Sequence, residues 1–210
     1  MSEFFASDVG KVALGGLIAI VVQLLVFSLG WVKEHRVSSK KRDLDAQYLS
    51  IQVVLALDKL IADCLKAVYD PTYINPADGY TYSSVSNPAF ALPDQGDYRT
   101  LPTQLMYELM FMPNRVAAIK EGLDSAWDES SPPDHDEYYS YRGEALSQLG
   151  LKAIELVESL CGRYRIPLPE WPKYYDPKRS FHTELARIED NMKKHGLAIQ
   201  PPPAESQPSP

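Results

Sequence analysis

The sequence is poor in cysteine, with two in 210 residues, Cys64 and Cys161. Neither belongs to a C-x-x-C pair, so the spacing that a zinc ribbon or a dithiol redox centre requires is missing. Each falls inside an apolar helical pattern, where a thiol in a reducing compartment behaves as a small buried hydrophobe. The common catalytic signatures are missing as well. There is no G-x-x-x-x-G-K-[ST], no G-x-G-x-x-G after a strand, no H-E-x-x-H and no G-x-S-x-G, and no cofactor is expected. An excess of positive charge is also lacking: the net charge is −7, and residues 43–210 carry 15 basic against 25 acidic side chains. Such a surface repels phosphate backbones, so nucleic acid is not an expected partner.

Another absence organises the chain. From Val12 to Val32, VALGGLIAIVVQLLVFSLGWV, there is no charged residue. At a rise of ~1.5 Å per residue, a helix over this run is about 30 Å long, the thickness of a hydrocarbon core. Trp31 near its end suits a lipid–water boundary. A core helix of this length normally shows a polar face, and only Gln23 and Ser28 offer one. A cleaved signal peptide carries basic residues ahead of its apolar part. Here residues 1–10 hold Glu3 and Asp8 and no Lys or Arg, although Ser28-Leu29-Gly30 has the small residues of a weak cleavage site. The expectation is a transmembrane helix over 12–32.

The flanks orient it. Lys33, Arg36, Lys40, Lys41 and Arg42 follow the run, against Lys11 alone before it. The positive-inside bias then leaves residues 1–11 as a short extracytoplasmic N-terminus and sends the rest into the cytoplasm. Residues 33–42 form a basic juxtamembrane segment. Its cations lie against anionic headgroups, each adding roughly 1 kcal/mol near the surface, as a tether or as a lipid sensor. Gly15, Gly16 and Ala19 give the helix a small-xxx-small surface suited to helix–helix association. Gln23, one turn on, is placed to hydrogen-bond across such a pair.

Residues 43–196 are expected to form one helical cytoplasmic domain of ordinary size. The first helix covers 43–69, with Val54, Leu57, Ile61, Cys64 and Val68 inward. Asp58, Lys59, Asp63 and Lys66 face water, and Asp70-Pro71 stops the helix. Ser38-Ser39 either breaks it from the anchor or lets the two run on as one. Residues 70–100 show no helical period and form a long Pro/Tyr-rich loop, read as a strap packing its tyrosines and Phe90 over the helices or as a partner-binding loop.

The second helix runs from about 100 to 128, with Leu105, Met106, Leu109 and Met110 inward. Pro113 kinks or splits it and Asn114 caps the restart, with Val116, Ile119, Leu123 and Trp127 as later apolar positions. Met106, Met110 and Met112 are read as core filling beside the kink rather than as an adaptable binding groove. After the Ser130-Ser131-Pro132-Pro133 turn, a third helix covers 134–164. Asp134, Asp136 and Glu137 lie at its positive end, and Leu146, Leu149, Ala153, Leu156, Val157 and Leu160 line its core. His135 beside these acids suggests metal ligation, but adjacent helical positions point apart and cannot close on one ion.

Residues 165–178 read as an extended connector. Trp171, Lys173, Tyr174, Lys178 and Arg179 there form a basic-aromatic cluster, a candidate surface for a partner or the inner leaflet. A last helix is capped by Ser180 and ends at Gly196, with Phe181, Leu185, Ile188 and Met192 inward. Residues 197–210 are a disordered Pro-rich tail, either a loose end or a ligand for a proline-reading domain.

Pro113-Asn114-Arg115, Tyr138-Tyr139-Ser140-Tyr141-Arg142, Leu149-Gly150-Leu151-Lys152-Ala153 and the stretch from Leu160 to Pro167 (LCGRYRIP) together resemble a bacterial family of small membrane-anchored helical proteins with no assigned activity. That resemblance implies a helical, single-pass architecture and no site. The combined expectation is an all-α protein: one N-terminal transmembrane helix, then a cytoplasmic bundle of about four helices. It would sit in a bacterial inner membrane, with the lipid bilayer and either an unknown protein or a second copy as partners. The expected role is a non-catalytic tether or scaffold. The alternatives are an enzyme using Cys161 or His182, and a homo-oligomeric membrane assembly.

Overall fold

The computed structural model describes residues 8–133 and 135–194, and of 8–22, 24–26 and 28–35 it describes the backbone alone. Four α-helices dominate these residues, which are all-α apart from one small hairpin. Helix α1 covers Asp8–Val68. Ser38 and Ser39 leave it unbroken, since serine lowers helix propensity only slightly and Lys, Arg and Leu surround the pair. Among the described residues no helix is long and apolar enough to cross a membrane. Apart from Gln23 and Phe27, the side chains of the apolar run 12–32 lie outside the described residues, and with them Gly15, Gly16, Ala19 and, just beyond, Lys33. Arg36, Lys40, Lys41 and Arg42 are exposed.

The chain divides into two compact units, Met1–Ala46 and Gln47–Pro210. In the second unit α1 buries Val54, Leu57, Ile61 and Cys64, as its spacing requires, together with Leu49, Val53 and Leu60. Val68, expected on the same row, is half-buried at the helix end.

Helix α2 spans Thr103–Glu129 without a break at Pro113. Proline removes one ladder bond, to the carbonyl of Leu109. Burial of Leu109 and Met112 on either side of that defect offsets it, and Asn114 caps nothing. The inward stripe is Leu109, Met112 and Leu123, whereas Met110 is exposed. Met110 lies one residue off the three- and four-residue steps that join the buried positions.

Helix α3, Asp136–Tyr164, is the central element, with α2 and α4 packed against it. It starts later than its acidic run suggests because His135 holds a left-handed φ of 50°, outside the helical region. Leu146, Leu149, Ala153, Leu156, Val157 and Leu160 are all buried. Helix α4, Pro177–Lys194, begins three residues before Ser180. Asp176 is the cap: its Oδ1 accepts the Arg179 N–H at 3.0 Å. Pro177 takes the first helical position, where its missing N–H costs nothing. The end expected at Gly196 lies outside the described residues.

Residues 70–100 carry local order that the sequence pattern did not show. Strands β1 (Tyr73–Ile74) and β2 (Thr81–Tyr82) pair antiparallel, Tyr73 opposite Tyr82. Between them Asn75 Oδ1 accepts from the Ala77 N–H and Asp78 Oδ1 from the Tyr80 N–H, with Gly79 at φ 76°. The Tyr80 bond, with those that Asp78 accepts from the Tyr82 hydroxyl and the Asn75 amide, holds the Asp78 carboxyl below its usual range. A 3-10 turn at Tyr98–Thr100 leads into α2.

Candidate functional site

Among the described residues, buried charge gathers where the strap crosses α3 and meets α4. Asp70 closes the first helix, and Arg142 projects from α3 in step with Tyr138, Leu146 and Leu149. Arg142 Nη1 donates to Asp70 Oδ2 at 2.9 Å, Nε to Asn87 Oδ1 at 2.9 Å, and Nη2 to the Val85 carbonyl at 2.7 Å. Asp70 also accepts the Ser84 and Val85 N–H groups at 3.0 and 3.1 Å. The guanidinium fork therefore binds one end of the strap through three directions, and the carboxylate binds the same segment from the other side.

A cleft of about 370 Å³ opens beside this pair, lined in part by Thr72, Tyr139, Gly143, Glu184 and Arg187. Glu184 is nearly buried and accepts from both Nη2 and Nε of Arg187, at 2.6 and 2.8 Å. The carboxylate beside it pushes the Arg187 guanidinium up from its ordinary value. Gly143 makes room for this pair, since a Cβ there would stand 2.8 Å from Glu184 Oε1. Tyr139 donates its hydroxyl to the Thr81 carbonyl at 3.1 Å, tying the hairpin to α3, and burial pushes its phenol up. The buried charges of this wall are spent on one another and on the strap. The arrangement is a clamp, with no nucleophile held against a base.

A second cluster stands at the corner between α2 and α3. The buried His135 ring stacks on Trp127 at 4.0 Å between centroids, and Tyr138 meets the Trp127 ring edge-on at 5.1 Å. Ser130 Oγ lies 2.6 Å from His135 Nδ1 and donates to the Trp127 carbonyl at 3.0 Å. Among the described residues Nε2 has no hydrogen-bond partner. A serine activated for attack needs a base held by a third group, and among the described residues none bonds Nε2. Among the described residues no group of His, Cys, Asp or Glu is placed to hold a metal ion.

The residues singled out in sequence are dispersed. Cys161 is buried on α3, its Sγ 3.7 Å from the Pro167 carbonyl, and burial pushes its thiol up, away from the thiolate a nucleophile needs. His182 is exposed on α4. The basic-aromatic cluster separates into parts. Trp171 donates its Nε1–H to Asp58 at 3.0 Å and meets Tyr175 edge-on, so Asp58 serves packing rather than water. Lys178 bridges to Glu158 at 2.7 Å, and Arg179 is exposed. Tyr174 is 94% exposed, with Lys173 Nζ 5.5 Å from its ring centre.

Asp70, Arg142 and His135 gained no functional role from sequence alone. The available signal was Arg142 itself, a cation on the apolar step of a helix, which calls for a buried carboxylate partner. No protein-family model, curated protein or solved structure matches the chain.

Proposed function

We propose that this chain is a single-pass, membrane-anchored, non-catalytic helical protein that tethers or scaffolds a partner at the inner face of a bacterial membrane. The observation that carries this reading is the uncharged run Val12–Val32 followed by Lys33, Arg36, Lys40, Lys41 and Arg42. An apolar length of that kind favours the bilayer, and the flanking cations favour the cytoplasmic side. The family resemblance has the same architecture. The buried charges support a non-catalytic role, since Asp70, Arg142 and Glu184 are engaged with the protein's own groups.

Two measurements test it. The full chain should remain in the membrane pellet after an alkaline carbonate wash, and Ile18→Arg with Val21→Arg should release it, since each cation costs about 3 kcal/mol at a helix centre. Recovery of the unaltered chain in the soluble fraction rejects the anchor. A cross-linked pull-down then compares the full chain with the double variant. A protein captured only with the anchored form identifies the tethered partner, and identical capture by both forms rejects membrane-dependent tethering.

A further inference from the structure

The outer side of α1 carries a row of large apolar residues that nothing among the described residues covers. In the second unit Tyr48, Ile51 and Leu55 are 59%, 41% and 66% exposed, while Leu49, Val53, Leu57 and Leu60 of the same helix are fully buried. At 100° per residue the two sets fall on nearly opposite sides of the helix. Burying one side suffices for a bundle helix, so an apolar row on the other side needs another explanation.

The spacing supplies it. Tyr48, Ile51 and Leu55 are separated by three and four residues, the a–d–a steps of a coiled-coil seam. In sequence the same series continues upstream through Leu44 and Val37, also exposed, interrupted only by Lys41. Downstream it stops at Asp58, which receives the Trp171 N–H. Counting in sevens along the d positions gives Gly16, Gln23, Gly30, Val37, Leu44 and Ile51. Small residues and one amide occupy the apolar run, where close approach and a shared hydrogen bond hold helices together. Large apolar residues occupy the part beyond the cations, where burial from water does so.

Charge at the flanks favours a parallel pair, while Lys41 at the a position meets its own copy and fixes the register at a cost in stability. In this register Lys40 is a g position and Asp45 the following e position. In a parallel pair each Lys40 faces the Asp45 of the other copy, giving two favourable contacts by symmetry. We infer that the Tyr48–Ile51–Leu55 face of α1 is a parallel self-association seam, whose occupant is the same face of a second copy of this chain. Pairing requires the helix alone and stands whether or not the anchor reading holds.

The test uses the full chain carrying Ile51→Cys, with Glu121→Cys on the exposed side of α2 as control; the native Cys64 and Cys161 are buried. Mild oxidation should convert most of the Ile51→Cys protein to a species of twice the 23.6 kDa chain mass and leave the control unlinked. Sedimentation of the unaltered chain in detergent should give two copies per particle. Ile51→Glu with Leu55→Glu should give one, with unchanged helical content because neither side chain packs in its own chain's core, and a melting temperature that no longer depends on protein concentration. The inference is overturned by a one-copy particle of the unaltered chain, by equal linking of both cysteine variants, by linking to a different protein, or by a two-copy particle that survives the double variant. It is equally overturned if a fluorophore at position 51 is quenched by lipid-borne quenchers, which would make the bilayer the occupant. Carbonate extraction reads the anchor separately, so the two readings fail independently.

Discussion

Asp70 Oδ2 and Arg142 Nη1 stand 2.9 Å apart, with both side chains only 2% exposed. They join the end of the first helix to the second turn of α3 and gather Ser84, Val85 and Asn87 around one ion pair. Removing one partner leaves the other charged and buried, which costs about 3–5 kcal/mol, far more than an exposed pair is worth. Arg142→Met and Asp70→Asn should each lower stability by that order in chemical denaturation. The double variant should lose clearly less than the sum of the two, because it strands no charge. Proteolysis within residues 70–100 should also accelerate in Arg142→Met, since the strap loses its central donor.

Gly150 on α3 lies directly against the ring of Phe181 on α4. A Cβ at this position would stand 2.3 Å from two ring carbons, and Phe181 is fully buried and cannot swing away. Exchanging glycine for alanine inside a helix gains about 0.5–1 kcal/mol, whereas overpacking of this kind costs about 1–3 kcal/mol. Steric overlap therefore wins, and Gly150→Ala should lower the melting temperature by several degrees. Adding Phe181→Leu should recover part of the loss, which a purely conformational effect of the alanine would not allow.

Ser130 and His135 close the α2–α3 corner, with Trp127 stacked on the imidazole. Ser130→Ala removes the group facing His135 Nδ1 and leaves both ring nitrogens of a buried histidine without a partner. A loss of about 1–3 kcal/mol is expected by thermal unfolding, the cost of stranding one buried polar group. His135→Phe keeps the stack with Trp127 and loses the polar contact, and it should cost less than Ser130→Ala.

The helices were legible because their apolar steps are long and regular, as in Leu146 through Leu160 on α3. What the sequence hid depends on contacts between distant positions. Asp70-Pro71 looked like a helix stop and nothing more, since its partner lies seventy-two residues away. Asp58 looked solvated for the same reason, although Trp171 claims it; Lys178 is exposed as expected and pairs with Glu158 at the surface. The short strands β1 and β2 carry too few residues for an alternating pattern to register. Asp176-Pro177 was readable in principle, because a cap residue followed by proline is a helix start. Reading Pro177 as the end of an extended connector hid it.

Cys64 provides a titration that reports directly on burial. Desolvation, reinforced by the negative charge of Asp63, pushes its thiol up to about 12 from an ordinary value near 9.0. The folded chain then keeps this proton after the unfolded chain has lost it. Stability from the protonated thiol is complete below about pH 9, and it falls as pH rises towards 12 at about 1.4 kcal/mol per pH unit. The raised phenols of Tyr98, Tyr139 and Tyr175 act in the same direction, so the cysteine must be isolated by difference. Denaturation of the native chain and of Cys64→Ala between pH 7 and pH 10.5 should give a stability gap that is constant below pH 9 and narrows above it. A gap independent of pH would mean that the thiol opens to water before the chain unfolds. In that case Cys64 should react with iodoacetamide at the rate of an exposed cysteine, whereas the buried geometry calls for labelling only on unfolding.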